Sequence, residues 1–178
     1  FTDLGILMVL IIILVFIVMA AQFESLVDPF VIMFSIPFAF TGIVLGLAVT
    51  QTPLGVMALI GVIMLMGIVV KNGIVLVVYT ILCRDRGMGI ITSVVTAGKS
   101  RLRPVLMTTL TTVLGMIPMA VGTGEGSEMW RSMGMTVAWG LSVSTLITLI
   151  IVPTVYAVFA AHGVKRRRRK IRKALRNN

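Results

Sequence analysis

The sequence predicts an all-α integral membrane fold: five transmembrane helices and one amphipathic helix on the cytoplasmic surface, with the N-terminus outside and the C-terminus in the cytoplasm. Three observations lead there. Of 178 residues, 58% are hydrophobic and only 12% charged, against about half apolar and about a quarter charged in a soluble domain. A chain of this size still exposes roughly 30% of its unfolded surface after folding, so the apolar excess has no soluble core to enter. The sixteen Lys and Arg are also gathered: nine lie between Lys165 and Arg176 and five between Arg84 and Arg103. This composition excludes an ordinary soluble globule and a disordered chain. With Cys83 as the one cysteine, it excludes a disulfide scaffold too.

A helix crossing the roughly 30 Å hydrocarbon layer needs about 20 apolar residues. The first span covers about 4–21, and its run from Ile6 to Ala21 holds no polar residue. It lacks a basic leader and no Met precedes Phe1, so it reads as a segment inside a longer polypeptide, not as a signal peptide. The second span covers about 29–49, the third 53–82, the fourth 104–121 and the fifth 133–161. Pro29, Pro53 and Pro104 stand at span starts, where a missing N–H is harmless. Pro37, Pro118 and Pro153 fall inside spans and predict kinks. The segment 85–100 is too polar to span but carries Met88, Ile90, Ile91, Val94 and Val95, the pattern of an amphipathic surface helix. Residues 1–164 thus form the membrane domain and 165–178 a basic tail, whose expected partner is anionic lipid and not nucleic acid.

Lys and Arg accumulate in cytoplasmic loops. The connections 22–28, 83–103 and 162–178 hold fourteen basic residues, and 50–52 and 122–132 on the other side hold one, Arg131. That asymmetry sets the orientation.

Lys71 is the sixteenth cation and lies within the third span, at 1.5 Å per residue about 16 Å or more from its cytoplasmic end. An ammonium at mid-membrane costs at least about 2.5–3.5 kcal/mol on insertion scales, and such a charge usually faces a polar cavity or an acid on an ion pathway. The bland alternative is a lysine reaching water through a local bilayer defect. The six acids (Asp3, Glu24, Asp28, Asp85, Glu125 and Glu128) all lie at span ends or in loops. Two readings stay open: desolvation leaves Lys71 as the neutral amine, or its carboxylate belongs to another part of the protein. In the fourth span Thr108, Thr109, Thr111 and Thr112 form a hydroxyl cluster. Arg101, Thr108, Thr112 and Gly115 share one helical face leading from the cytoplasmic end toward mid-membrane. Hydroxyls relay protons or hold water, and they also bond helices together; beside Lys71 and Asn72 both readings have force.

The stretches Val69-Val-Lys-Asn-Gly-Ile-Val-Leu-Val77 and Arg101-Leu-Arg-Pro-Val-Leu-Met-Thr-Thr109 resemble the resistance–nodulation–division (RND) efflux pumps, in the branch exporting hydrophobic and amphiphilic compounds from Gram-negative bacteria. Gln22-Phe-Glu-Ser25, Gly115-Met-Ile-Pro118 and Val152-Pro153 add to the resemblance, which extends over essentially the whole chain. It implies the C-terminal membrane helices of a longer multidrug-efflux protomer in the bacterial inner membrane, working as a drug/H⁺ antiporter on the proton motive force. The rest of the protomer would bring a porter region and a mid-membrane pair of aspartates whose protonation switches the ion pairing of the lysine. By the same resemblance Lys71, Arg101 and Thr108 form this chain's side of the proton relay, with Asn72 and Thr112 in support. A homotrimer, a periplasmic adaptor and an outer-membrane channel are the implied partners. The family usually has an acid shortly after the Lys-Asn-Gly motif, ahead of an aromatic; here Val78 precedes Tyr79.

Two alternatives have their own residues. Met119, Met129, Met133 and Met135 cluster beside Trp130 and Glu128, and thioethers select soft Cu(I), so metal export is a lesser reading; Met is also an ordinary gap-filler. Gly42-Ile-Val-Leu-Gly46 is a helix-packing motif that suits a non-transporting scaffold as well as a transporter. Only Lys71 separates the two, since a scaffold gains nothing from a mid-membrane charge. The sequence holds no nucleophile–base pair, metal-ligand set or phosphate loop, so an enzyme and a bound cofactor are not expected.

Overall fold

Helices follow one another along the chain wherever proline and glycine permit. The computed structural model describes residues 2–176, with side chains through Lys165. The order is α1 (Thr2–Phe23), α2 (Val27–Met33), α3 (Ile36–Thr50), α4 (Val56–Asp85), α5 (Ile90–Val121) and α6 (Ser127–Arg176). Taking α2 and α3 as one interrupted crossing, five segments are long and apolar enough to cross a membrane. No strand occurs among the described residues.

The break in the second crossing has a chemical cause. Pro37 sits in the first turn of α3; it lacks an N–H, and its ring meets the space of the carbonyl four residues earlier, at Met33. The helix therefore stops at Met33 and restarts at Ile36, while the Ser35 hydroxyl donates to the Ile32 carbonyl at 2.6 Å and fills part of the gap. The expected kink is thus a short interruption just ahead of the proline.

The surface helix expected over 85–100 is not a separate element. The chain turns at Arg86–Gly89, with Gly87 at φ 88°, a conformation open to glycine. From Ile90 a single helix then runs through Pro104 to Val121. Pro104 removes one backbone bond, the one to the Ser100 carbonyl. Ser100 is exposed, so that carbonyl has solvent or headgroups to bond and the helix has no reason to stop. Likewise α4 starts at Val56, after a short non-helical lead-in in which the Gly55 N–H donates to the Pro53 carbonyl at 2.9 Å. α6 begins six residues earlier than the hydrophobic pattern indicates and continues past the last apolar residues. The tail's attraction to anionic lipid concerns side chains outside the described residues.

α6 is the hub, and α3, α4 and α5 all pack chiefly against it. Small residues allow this. Gly42 and Gly46 place α3 directly on α6, over Val143 and Trp139; a Cβ at Gly42 would come within 2.8 Å of the Val143 Cβ. The packing motif seen in the sequence is therefore used within the chain. Gly140 of α6 in turn admits Leu65 of α4 and Ile43 of α3. The core gathers where these helices meet, around Ile43, Leu65, Val69, Leu76, Leu141 and Val152. By contrast α1 buries only Met19 and touches the rest mainly through α2.

Gly46→Ala sets a methyl into the Trp139 Cβ, which cannot retreat without parting two helices. We expect it to cost about 1–3 kcal/mol and to lower the thermal unfolding midpoint of the full-length protein. Gly98→Ala, where a Cβ meets open space inside α5, should leave the midpoint unlowered or raise it slightly, since alanine is the better helix former. Equal midpoints for the two variants would contradict this packing.

Candidate functional site

Lys71 stands at the middle of the thirty-residue α4. The helix buries Val69, Val70, Asn72, Gly73, Leu76 and Val77 against its neighbours and leaves Met64, Gly67, Lys71, Val78 and Leu82 exposed. Those five recur at intervals of three, four or seven and form one outward stripe. The ammonium therefore points away from the helices of this chain. The six acids stay at helix ends: Asp3 at the start of α1, Glu24 and Asp28 around the α1–α2 turn, Asp85 at the end of α4, and Glu125 and Glu128 around the start of α6. None shares the depth of Lys71.

Depth follows from the packing register. The Arg101 guanidinium lies over the Tyr79 ring, 4.6 Å from its centre, which pins α5 beside α4 with the two helices antiparallel. Eight residues back from Tyr79 is Lys71, and seven or eight on from Arg101 are Thr108 and Thr109. Each interval is about 11–12 Å along a helix axis, so lysine and threonines are level. A second route agrees. α6 runs parallel to α4, with Met133 and Thr136 against Gly61 and Gly140 against Leu65. That register brings Thr145 to the level of Lys71, and Thr145 bonds Thr109.

At this depth the threonine cluster divides. Thr109 is buried and its hydroxyl pairs with that of Thr145 at 3.0 Å, so Thr109 bonds α5 to α6. Thr108 is exposed and donates to the Pro104 carbonyl at 3.0 Å; Thr112 donates to the Thr108 carbonyl at 2.8 Å. Both satisfy their protons within their own helix and present oxygen lone pairs outward, where an ammonium or water can donate. Gly115, on the same face, has open space around it. Asn72 is buried beside Lys71 and belongs to the inner face of α4.

Arg101 is half-buried, and its Nε is buried with no hydrogen-bond partner. Tyr79 is the contact that sequence reasoning missed. The signal was present in the departure at Val78: this apolar residue lies on the outward stripe, and the following aromatic takes the guanidinium through its π face. A second missed contact ties α4 to α6, where Arg84 donates to the Tyr156 hydroxyl at 3.2 Å. Of the methionines, Met133 is buried in the α4–α6 contact and Met129 is exposed. Among the described residues no three of His, Cys, Asp and Glu come together in a metal-holding group.

The family model of the AcrB/AcrD/AcrF family matches residues 2–160. The chain is 42% identical over 167 residues to the swarming motility protein SwrC of Bacillus subtilis, covering 93% of this chain and 16% of that protein. It is 38% identical to the multidrug resistance protein MdtC of Erwinia tasmaniensis, over 80% of this chain and 14% of the relative. It is 36% identical to the cobalt-zinc-cadmium resistance protein CzcA of Cupriavidus metallidurans, again over 80% and 14%. A crystal structure of a heavy metal efflux pump superposes with a TM-score of 0.80 at 29% identity, covering 88% of this chain and 15% of that one. The chain thus spans about one-sixth of the length of these relatives.

The division of the threonines has a direct test. Thr109→Val leaves the Thr145 hydroxyl unpaired and is expected to cost about 1 kcal/mol in thermal unfolding of the full-length protein. Thr108→Val removes only a bond within its own turn and should stay within about 0.5 kcal/mol of wild type. A Thr108 variant as destabilised as the Thr109 variant would show that both hydroxyls bond helices.

Proposed function

Since the chain belongs to the RND transporter family and is a multi-pass protein of the bacterial inner membrane, we propose that it supplies the cationic side of a proton relay in a proton-driven exporter of hydrophobic or amphiphilic compounds. The observation that carries this reading is Lys71. It lies at the midpoint of α4, faces outward, and has no carboxylate of its own chain at its depth. Its counter-charge then comes from the remainder of the protomer.

In this reading a carboxylate of the other half pairs with the Lys71 ammonium while deprotonated. A proton arriving from outside neutralises that carboxylate and strands the ammonium. A stranded mid-membrane charge costs at least about 2.5–3.5 kcal/mol, and one proton moving down 100 mV releases about 2.3 kcal/mol. The two quantities are of one size, so protonation is enough to move Lys71. Its next hydrogen-bond acceptors are the outward oxygens of Thr108, at its own level, and of Thr112, one turn further along α5, with Asn72 steadying the helix beside it. Arg101 sits about 10 Å further toward the cytoplasmic end on the same face of α5 and favours proton release from the neighbouring carboxylate there. Because α4 and α5 both pack on α6, a shift of either helix passes to the rest of the membrane unit, and from there to a porter region. A homotrimer with a periplasmic adaptor and an outer-membrane channel completes the proposed machine, which is not an enzyme.

A second reading, export of divalent metal ions, is favoured by one observation. Relatives named for multidrug and for cobalt-zinc-cadmium resistance match this chain at 38% and 36% identity. These helices then carry what the two kinds of exporter have in common, namely coupling, and selection of the exported compound lies elsewhere.

In the full-length protein, Lys71→Ala and Arg101→Ala should reduce export to the level of the deletion strain while membrane expression stays normal. Growth inhibition by amphiphilic compounds and by cobalt, zinc and cadmium salts, measured in parallel, reads both halves of the proposal. Protection against the metals alone overturns the amphiphile reading, and full protection by the Lys71 variant overturns the relay.

A further inference from the structure

Away from the Lys71 face, α5 and α6 enclose a groove of about 600 Å³, lined by Lys99, Leu102, Arg103, Leu106, Leu110 and Leu146 among others. At 3.6 residues per turn, Leu106 and Leu110 sit about 140–180° round α5 from Arg101. The groove is therefore separate from the relay face.

Its wall is dry. Leu102, Leu106, Leu110 and Leu146 are all exposed along it, and the hydroxyls that border it are already bonded inside the protein. Thr109 pairs with Thr145 at 3.0 Å, and Ser142 donates to the Ala138 carbonyl at 2.7 Å. One end is cationic. Lys99 and Arg103 are exposed, lie one turn apart on the same side of α5 and form the rim. Among the described residues no carboxylate answers them, since α5 contains none and none lines the groove. From Arg103 to Val113, the far lining residue on α5, is ten residues or about 15 Å, the hydrocarbon depth of a single leaflet.

Two unneutralised cations above a dry apolar slot one leaflet deep match an anionic phospholipid in both charge and length. A small soluble anion needs no such slot, and an uncharged lipid does not need the two cations. We propose that this groove holds an anionic phospholipid of the cytoplasmic leaflet, its phosphate between Lys99 and Arg103 and one acyl chain along Leu102, Leu106 and Leu110. The choice of leaflet rests on the orientation set by the basic loops. A lipid seated there spans α5 and α6, so it bears on the contact that fixes Thr109 to Thr145.

Native mass spectrometry of the delipidated full-length protein, titrated with phosphatidylglycerol, phosphatidylcholine or inorganic phosphate, tests this. Wild type should retain phosphatidylglycerol over phosphatidylcholine. Lys99→Gln with Arg103→Gln should lose roughly thirty-fold in phosphatidylglycerol affinity, taking the usual attraction of two basic residues for anionic lipid. Leu106→Trp, which fills the slot and keeps both charges, should lose that binding as well, with an unchanged thermal midpoint. Arg86→Gln with Lys165→Gln removes two cations of the same side outside the groove and should retain the lipid. The proposal is overturned if this control pair loses as much as the groove pair, if the tryptophan variant binds as wild type does, or if inorganic phosphate displaces the lipid. Binding is read without transport, so failure of the relay and failure of the lipid site are distinguishable.

Discussion

A positive charge in the middle of a hydrocarbon layer has to be compensated, and most of what is distinctive here follows from that requirement at Lys71. The chain offers no acid at that depth. What it offers is position: a stiff thirty-residue helix that carries the ammonium at its midpoint, outward, level with a row of hydroxyl oxygens. In the proposed reading the site is half of an electrostatic pair, and the remainder of the protomer brings the other half. Family membership and the length of the relatives agree with such a division of labour.

Packing serves that position. α6 runs through the unit as a common partner, and glycines at 42, 46 and 140 bring α3 and α4 onto it at backbone distance. α5 is held from both sides, by Thr109 to Thr145 on α6 and by Arg101 over Tyr79 on α4. These two contacts set the register that levels Thr108 with Lys71. Neither is a strong bond alone, at about 1 kcal/mol each. α5 packs chiefly on α6 and far less on α4, and in the proposed relay a light contact between α4 and α5 leaves the two helices free to shift against each other.

The five crossings, the isolated charge and the shared face of Arg101, Thr108 and Thr112 were legible in the sequence because hydropathy and helical period are local properties. Helix ends were less so. Pro104 reads as a span start, yet α5 runs straight through it, since one lost backbone bond at an exposed carbonyl is tolerated. Pro37 reads as a kink and appears as a gap at Phe34 and Ser35, because the clash falls a turn upstream. The split between Thr108 and Thr109 was not legible at all: adjacent residues of one type differ only in which neighbouring helix they meet. Tyr79 escaped notice for the same reason, its role being set by an arginine 22 positions away. The substrate reading leaned on motif resemblance, while relatives named for drug and for metal resistance share these same helices at nearly equal identity.

The central claim is that the counter-charge of Lys71 comes from outside these 178 residues. Dicyclohexylcarbodiimide enters membranes and reacts with protonated carboxyl groups, whereas a carboxylate paired with an ammonium is held unprotonated and escapes it. Labelling of the full-length protein in native membranes, followed by peptide mapping, should find a mid-membrane aspartate or glutamate of the remainder of the protomer that reacts in the Lys71→Met variant at a pH where the wild type is protected. Equal labelling of every mid-membrane carboxyl group in the two proteins, or a change confined to Asp28 or Asp85, would contradict the account.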